Sequence, residues 1–235
     1  MRLKKYEGFW QATLLPRLFP VNVYFIREND GLTLIDTAVP IAARHILRCA
    51  QTIGAPIKRI ALTHAHYDHA GGVDHLKRAV PDIELIASTR EAPLLAGDIA
   101  PLPGEYSVNG ELPGNYQAIE SQPDRLVDNG EEVGELTVIS TPGHTPGHIS
   151  FFHEKTGALF AGDAFQTRAT IAVAGDRVPL FPFVAMATWD KHRAYRSAEI
   201  LADLPVRYLA TGHGEVLTDP KNAMHAALER AKKNF

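Results

Sequence analysis

Apolar residues fall in short alternating or continuous blocks along most of the chain, separated by Gly, Pro and Asn-rich turns. The first clear block is Phe19–Arg27; Asn29-Asp30-Gly31 follows as a hairpin turn, and Leu32–Thr37 returns as a second strand. From Pro40 to Ile53 apolar residues recur at helical spacing, with Pro at the start and Gly54 at the stop, which predicts a helix. Lys58–Thr63 reads as a short strand that runs straight into a His-rich loop, Val73–Val80 as a short helix, and Ile83–Ala87 as another strand. Ser88 or Thr89 is placed to cap a helix reaching Leu95, with Glu91 as its capping-box partner.

The rhythm breaks between Gly97 and Arg125, where Pro101, Pro103, Gly104, Gly110, Pro113 and Gly114 interrupt any period. A loop of that length inside a folded chain is expected to be functional or mobile. Strands resume at Leu136–Ser140, His148–His153 and Ala158–Ala161, the last two joined by the turn Glu154–Gly157. Amphipathic helices are expected over Asp190–Leu204 and Asp219–Lys233, with the strand Arg207–Ala210 between them. Each half therefore reads as strands followed by strand–helix units, which suggests two sheets packed face to face with helices outside. No repeat and no linker divides the chain, so the expectation is an α/β protein with a single domain over residues 1–235.

Composition narrows the picture. An apolar fraction of 45% in 235 residues is ordinary for a globular chain and ample for a large core. With 24 Lys and Arg against 27 Asp and Glu, a basic nucleic-acid footprint is not expected. Cys49 is the single cysteine, so no intrachain disulfide forms; set among Ile41, Ile46, Leu47 and Ala50, it is expected to be a buried small hydrophobe. Glu7, Gln11, Pro16, Arg17 and Pro20 leave no signal-peptide core near the start. No run approaches the ~18 apolar residues of a membrane span. The expected setting is cytoplasmic, with a small-molecule substrate and neither nucleic acid nor membrane as partner; the oligomeric state is left open.

The chemistry concentrates in Thr63-His64-Ala65-His66-Tyr67-Asp68-His69, followed by Gly71-Gly72. On a helix His64 and His66 would point about 200° apart. In an extended loop positions 64, 66 and 68 can face one side while His69 points elsewhere, toward a second ion. Imidazoles and a carboxylate packed this densely would repel one another or stay half-satisfied without a cation, so the segment reads as a metal site. Three further strand ends carry one such residue each: His144 on the Thr141-Pro-Gly-His-Thr-Pro-Gly turn, Asp163 after Leu159-Phe-Ala-Gly, and His213 after Leu209-Ala-Thr-Gly.

This set, in this order, resembles the metallo-β-lactamase superfamily, and Asp36 at the end of Leu32-Thr-Leu-Ile matches the family's first motif. The match runs from about residue 20 to 215. The resemblance implies an αββα sandwich of two mixed β-sheets flanked by helices, with the metals at one edge between the sheets. It implies that His64, His66 and His144 hold one ion, that Asp68, His69 and His213 hold the other, and that Asp163 bridges them. Asp36 would orient a ligand or the loop from behind, and Asp68 is the candidate for handling protons. His148 is read as structural or as a support for a ligand. His45, His75, His153, His192 and His225 are read as structural and mostly at the surface.

The resemblance further implies a binuclear hydrolase. Two divalent ions, zinc first with iron or manganese as alternatives, would make a metal-bound hydroxide available at neutral pH to attack a carbonyl ester, thioester or lactone. Main-type zinc β-lactamases carry Cys where this chain has Asp163, which disfavours antibiotic hydrolysis. The Thr-Pro-Gly-His run is shared with the glyoxalase II group, but the helical domain with which those enzymes bind glutathione has no counterpart expected here, about twenty residues after His213. Ala164-Phe165-Gln166 stand where many acyl-homoserine lactonases carry a Tyr. The competing expectations are a mononuclear iron oxygenase like the persulfide dioxygenases and a metal-binding protein without catalysis. Val178–Trp189, rich in apolar and aromatic residues, and the loop Gly97–Arg125 are the candidate walls of a pocket for a modest-sized, partly apolar acyl substrate.

Overall fold

The central strands are apolar on both faces, and such strands need cover on both sides. In the computed structural model, which describes residues 1–235, they receive it by stacking into four layers. The first sheet runs in sequence order through β1 (Arg2–Lys5), β2 (Phe9–Leu14), β3 (Val21–Arg27), β4 (Leu32–Ile35), β5 (Ile57–Ala61), β6 (Glu84–Ser88) and β7 (Arg125–Val127). It is antiparallel from β1 to β4 and parallel from β4 to β7. The second contains β8 (Glu132–Val133), β9 (Leu136–Ser140), β10 (Ile149–His153) and β11 (Ala158–Gly162). A small hairpin, β12 (Phe165–Gln166) with β13 (Ala172–Val173), precedes its remaining strands, β14 (Tyr208–Thr211) and β15 (Leu217–Thr218). The order across this sheet is β15-β14-β11-β10-β9-β8, with only β11 and β14 parallel.

Alternation along each strand divides the core. Tyr24, Ile26, Phe151, Phe160 and Ala210 point between the sheets, joined by Phe9, Ile35, Ala61 and Val138. Their neighbours Phe25, Leu34 and Ile60 point out against Ile46 and Cys49 of α1 (Ala43–Ile53), and against Leu76 of α3 and Leu94 of α4. Between α1 and these lies α2 (Tyr67–Ala70); α3 is Val73–Ala79 and α4 is Glu91–Leu95. On the other side Phe152, Leu159 and Leu209 meet Ala198 and Leu201 of α6 (Lys191–Ala202) and Met224 and Leu228 of α7 (Lys221–Asn234), with α5 (Phe183–Met186) between strands and helices in sequence. The result is the αββα sandwich. No helix is long and apolar enough to cross a membrane.

β1 and β2 have no counterpart among the predicted elements. Inward-facing Gln11 and Thr13 on β2 hide its alternation, because they bond rather than pack: Gln11 Nε2 donates to Gly214 O at 2.9 Å and Thr13 Oγ1 to Asn22 Oδ1 at 2.8 Å. His153, expected near the surface, is buried and hydrogen-bonded to Thr156 at 2.8 Å and to Glu135 at 3.3 Å. Cys49 is a free, buried thiol, as its apolar neighbours predict. The irregular segment after Gly97 is pinned to the body: Ile119 N donates to Leu95 O at 2.9 Å, Asp74 accepts from Glu120 N and Ser121 N, and Trp189 Nε1 donates to Tyr106 O at 2.7 Å.

Candidate metal centre

Four strand ends converge at one rim of the sandwich. β5 delivers the loop bearing His64 and His66, β9 leads to His144, β11 ends beside Asp163, and β14 leads to His213. The chain turns helical at Tyr67, and His66 stands at the N-cap in extended conformation (φ −65°, ψ 147°). That turn corrects the spacing argument for Asp68. Instead of sharing a face with His64 and His66, it swings away on α2 together with His69. Groups of potential ligands, each with all atoms within 4.8 Å, are accordingly His64, His66 and His144; Asp68, His69 and His213; and His64, His69 and Asp163. All seven predicted ligands come together. Asp163 lies between the groups, with Oδ2 at 3.4 Å from His144 Nε2 and 3.3 Å from His213 Nε2, and Oδ1 at 3.5 Å from His69 Nε2.

The far nitrogens of His64, His69, His144 and His213 are committed elsewhere, and this sets which nitrogen faces inward; His66 is turned the other way, with Nδ1 3.0 Å from His144 Nε2. His69 Nδ1 donates to Asp36 Oδ2 at 2.7 Å and His213 Nδ1 to Pro20 O at 2.7 Å. Thr63 Oγ1 donates to Asp36 Oδ2 at 2.8 Å, so toward His64 Nδ1, 3.0 Å away, it is the acceptor. Thr188 Oγ1 likewise donates to Val184 O at 2.7 Å and accepts from His144 Nδ1 at 3.1 Å. In each case Nε2 is left pointing at the other ligands. Among the buried atoms facing one another here, His64 Nε2, His69 Nε2 and Asp163 Oδ1 have no hydrogen-bond partner. Buried polar atoms without partners are costly, and a cation relieves the cost. The donor set, imidazole with carboxylate, suits a divalent transition metal.

Electrostatics separates the two sides. Burial pulls His66 down to about 4 and holds His64 and His144 well below the ordinary imidazole range, so these three are neutral at pH 7 and ready to coordinate. Burial also acts on His69 and His213, but the carboxylates of Asp163, Asp36 and Asp68 outweigh it; His69 is pushed up to about 9 and His213 well above its usual value. Burial would raise Asp163 and Asp68, yet the neighbouring histidines hold both well below the carboxylate range. The carboxylates thus draw positive charge into the site.

A cavity of about 480 Å³ opens over these ligands, reaching His66, Asp68, His144, Asp163 and His213. Both predicted wall segments contribute to it: Gly114 and Asn115 from the long loop, and Phe183, Val184, Met186 and Ala187 from the segment after Val178.

The family model described as Metallo-beta-lactamase superfamily matches residues 16–213. The chain belongs to the metallo-β-lactamase superfamily. It is 43% identical over 235 residues to the uncharacterized protein YobT of Bacillus subtilis, covering 99% of this chain and 100% of that one. It is 34% identical to the hydroxyacylglutathione hydrolase of Rhodospirillum rubrum, covering 85% of this chain and 68% of that enzyme. Among solved structures, the DIM-1 metallo-beta-lactamase superposes with a TM-score of 0.74 at 18% identity, covering 100% of this chain and 98% of that one. TTHA1623 in a di-iron-bound form gives 0.66 at 27% identity, covering 91% and 96%.

Within this superfamily fold, two residues beyond the expected set shape the centre. Glu91, predicted as a capping-box partner, leaves that role: Ser88 Oγ accepts from Glu91 N at 3.2 Å, while the Glu91 carboxylate turns inward. There it accepts from Ala65 N, Thr145 Oγ1 and Gly147 N, binding the His64–His66 loop to the His144 turn. Its partners lie 26 to 56 residues away, so no local pattern announces it. Thr188, which orients His144, is equally silent in sequence. Asp36 does stand where expected; it accepts from Thr63 N at 2.8 Å as well as from His69, and adopts a left-handed φ of 58° to do so. His148 is buried with Nε2 accepting from Asp163 N at 3.1 Å, which makes it a support for the Asp163 backbone. Gly143 lets the His144 turn lie on α6, since a Cβ there would overlap the Ala194 backbone.

Proposed function

We propose that this protein is a metal-dependent hydrolase with a binuclear centre, acting on carbonyl ester, thioester or lactone bonds. His64, His66 and His144 would hold one ion and Asp68, His69 and His213 the other, with Asp163 shared. The observation that carries the reading is the convergence of buried, unpartnered Nε2 and carboxylate atoms whose opposite sides are already hydrogen-bonded. Bound there, divalent ions supply Lewis acidity and bring a water toward ionisation near neutral pH. Zinc is proposed first, with iron or manganese suited to the same ligands. The di-iron form of the related TTHA1623 supports a pair of ions, and the name of the R. rubrum relative supports an acyl thioester among the substrates.

The chain's own residues do the rest. Asp36, Pro20 O, Thr63 and Thr188 fix the imidazoles before substrate arrives, which spares reorganisation during reaction. Asp68 faces the cavity and, alone among the carboxylates here, keeps appreciable exposure. It is assigned the proton that water loses on attack, returning it to the alcohol or thiol that leaves. Hydrolysis then adds water across the acyl C–O or C–S bond.

Elemental analysis of protein grown with added metal, together with a panel of neutral esters, thioesters and lactones, tests this. Two ions per chain with turnover of at least one substrate class supports it. One iron per chain with oxygen consumption, or no metal at all, overturns it.

A further inference from the structure

The cavity over the ligands has two chemically opposite walls. One is made of the histidines and carboxylates; the other is Phe19, Phe183, Val184, Met186 and Ala187, and no Lys or Arg stands in either. The apolar wall starts at a ligand. Phe19 and Phe181 pack on the His213 ring at 5.3 and 5.4 Å, and Phe19, Phe181 and Phe183 form a cluster with centroids 5.1 to 5.2 Å apart. Phe183 is nevertheless 50% exposed and Met186 70% exposed. Leu18 and Leu180, chain neighbours of Phe19 and Phe181, are also exposed. A cluster of large apolar side chains left open beside a reactive centre marks a surface that a ligand covers.

Resting on the hydrolase reading above, we propose that the substrate carries a neutral, medium-length, straight apolar acyl chain that lies along Phe19, Phe183 and Met186. The reacting carbonyl then sits by the ligands while the chain runs toward Leu18 and Leu180. Within the cavity lining an anionic tail, such as the carboxylates of a glutathionyl group, would meet no Lys or Arg and would lose its hydration against the apolar side chains; Arg168, which donates to Arg17 O beside Leu18, stands outside that lining. Met186, unbranched and flexible, adapts to chains of different length. The wall is also coupled to the ligands: Thr188 accepts from His144 and donates to Val184 O, so the apolar segment and the His144 imidazole are held by one hydroxyl.

The test uses the metal-loaded full chain and straight-chain acyl thioesters from acetyl to decanoyl on one small neutral thiol. In parallel, binding of octanamide and acetamide is followed by calorimetry. Burying a methylene against this wall should raise kcat/KM roughly two- to fourfold per step until the wall is covered. Octanamide should bind and acetamide should not. Phe183→Ser with Met186→Ser should lower both the octanoyl-to-acetyl ratio and octanamide affinity; Phe183→Leu should restore part of each. Turnover with a flat chain-length series, or a preference for glutathione thioesters over neutral ones at every acyl length, overturns the proposal while leaving the hydrolase reading intact. Octanamide binding that depends on Phe183, without turnover of any acyl substrate, would sink the hydrolase reading and keep the apolar acyl site.

Discussion

The Glu91 carboxylate accepts a hydrogen bond from the Ala65 backbone N–H at 2.6 Å, in the middle of the loop that presents His64 and His66. Its other oxygen accepts from Thr145 Oγ1 at 2.6 Å and Gly147 N at 2.8 Å, in the half of the turn that directly follows His144. One buried side chain therefore sets the distance between two strand ends that contribute the three candidate ligands His64, His66 and His144.

Replacing Glu91 with Gln keeps the shape but turns an NH2 toward groups that need an acceptor. The variant should lose about 1–3 kcal/mol in stability, read by urea unfolding. Its metal affinity should fall roughly 10- to 100-fold, read by chelator competition. An unchanged affinity would mean the two loops are held by other contacts.

Burial pushes the Glu91 carboxyl up to about 7, against the hydrogen bonds from Thr145, Ala65 and Gly147 that favour its charged form. Its pKa is then higher in the folded than in the unfolded chain, so the fold binds the extra proton between about 4.5 and 7. Stability from this group is full at the acid end of that window and declines as pH rises through it. In metal-depleted protein the difference in Tm between wild type and Glu91→Gln should shrink from pH 4.5 to 7. A difference that widens with pH would show Glu91 ionised throughout.

Asp36→Asn tests the acceptor pair serving Thr63 and His69 without straining the backbone, because Asn tolerates the left-handed conformation that Asp36 adopts. With one acceptor replaced by a donor, Asp36 can no longer serve both Thr63 and His69 Nδ1. Affinity for one of two ions should drop roughly 10- to 100-fold, visible as a biphasic chelator titration that wild type lacks.

Gly212→Ala probes the crowding behind Asp163. The added Cβ would overlap Asp163 Oδ1 and approach His69 Cε1 at 2.5 Å, while the backbone itself tolerates alanine. Overpacking of this kind costs about 1–3 kcal/mol, and here it falls on two ligands. Metal content per chain should fall more sharply than Tm of the metal-free protein.

Removing metal with a chelator should lower Tm, and zinc should restore it, the gain rising with the logarithm of its free concentration above Kd. At a hundred times Kd the gain is about 2.7 kcal/mol. Differential scanning calorimetry reads it directly. No zinc-dependent shift would mean that the unpartnered Nε2 atoms are tolerated without a cation.

The seven candidate ligands and the layered α/β class were legible in the sequence because each rests on a local pattern, and Asp36 because it fills a position of the family's first motif. An apolar strand ends, a Gly or Pro turn follows, and one His or Asp stands at the tip; periodicity and turn chemistry are written over a few residues. Where the information was not local, sequence reading stopped or erred. β2 has no apolar alternation to read because Gln11 bonds to the distant Gly214 O and Thr13 to Asn22 on the neighbouring strand. Glu91 was legible only as a helix-start residue, since the groups that need its charge lie far along the chain. His153 read as an outside histidine until Glu135 and Thr156 closed around it. For Asp68, spacing alone put it on one face with His64 and His66; a single helical turn groups it with His69 and His213 instead, as the family resemblance implies. The apolar wall opposite the ligands, joining Phe19 to Phe183 across more than a hundred and sixty residues, exists only once the two sheets have packed. Sequence determines what each segment can offer; burial and long-range packing decide which offers meet.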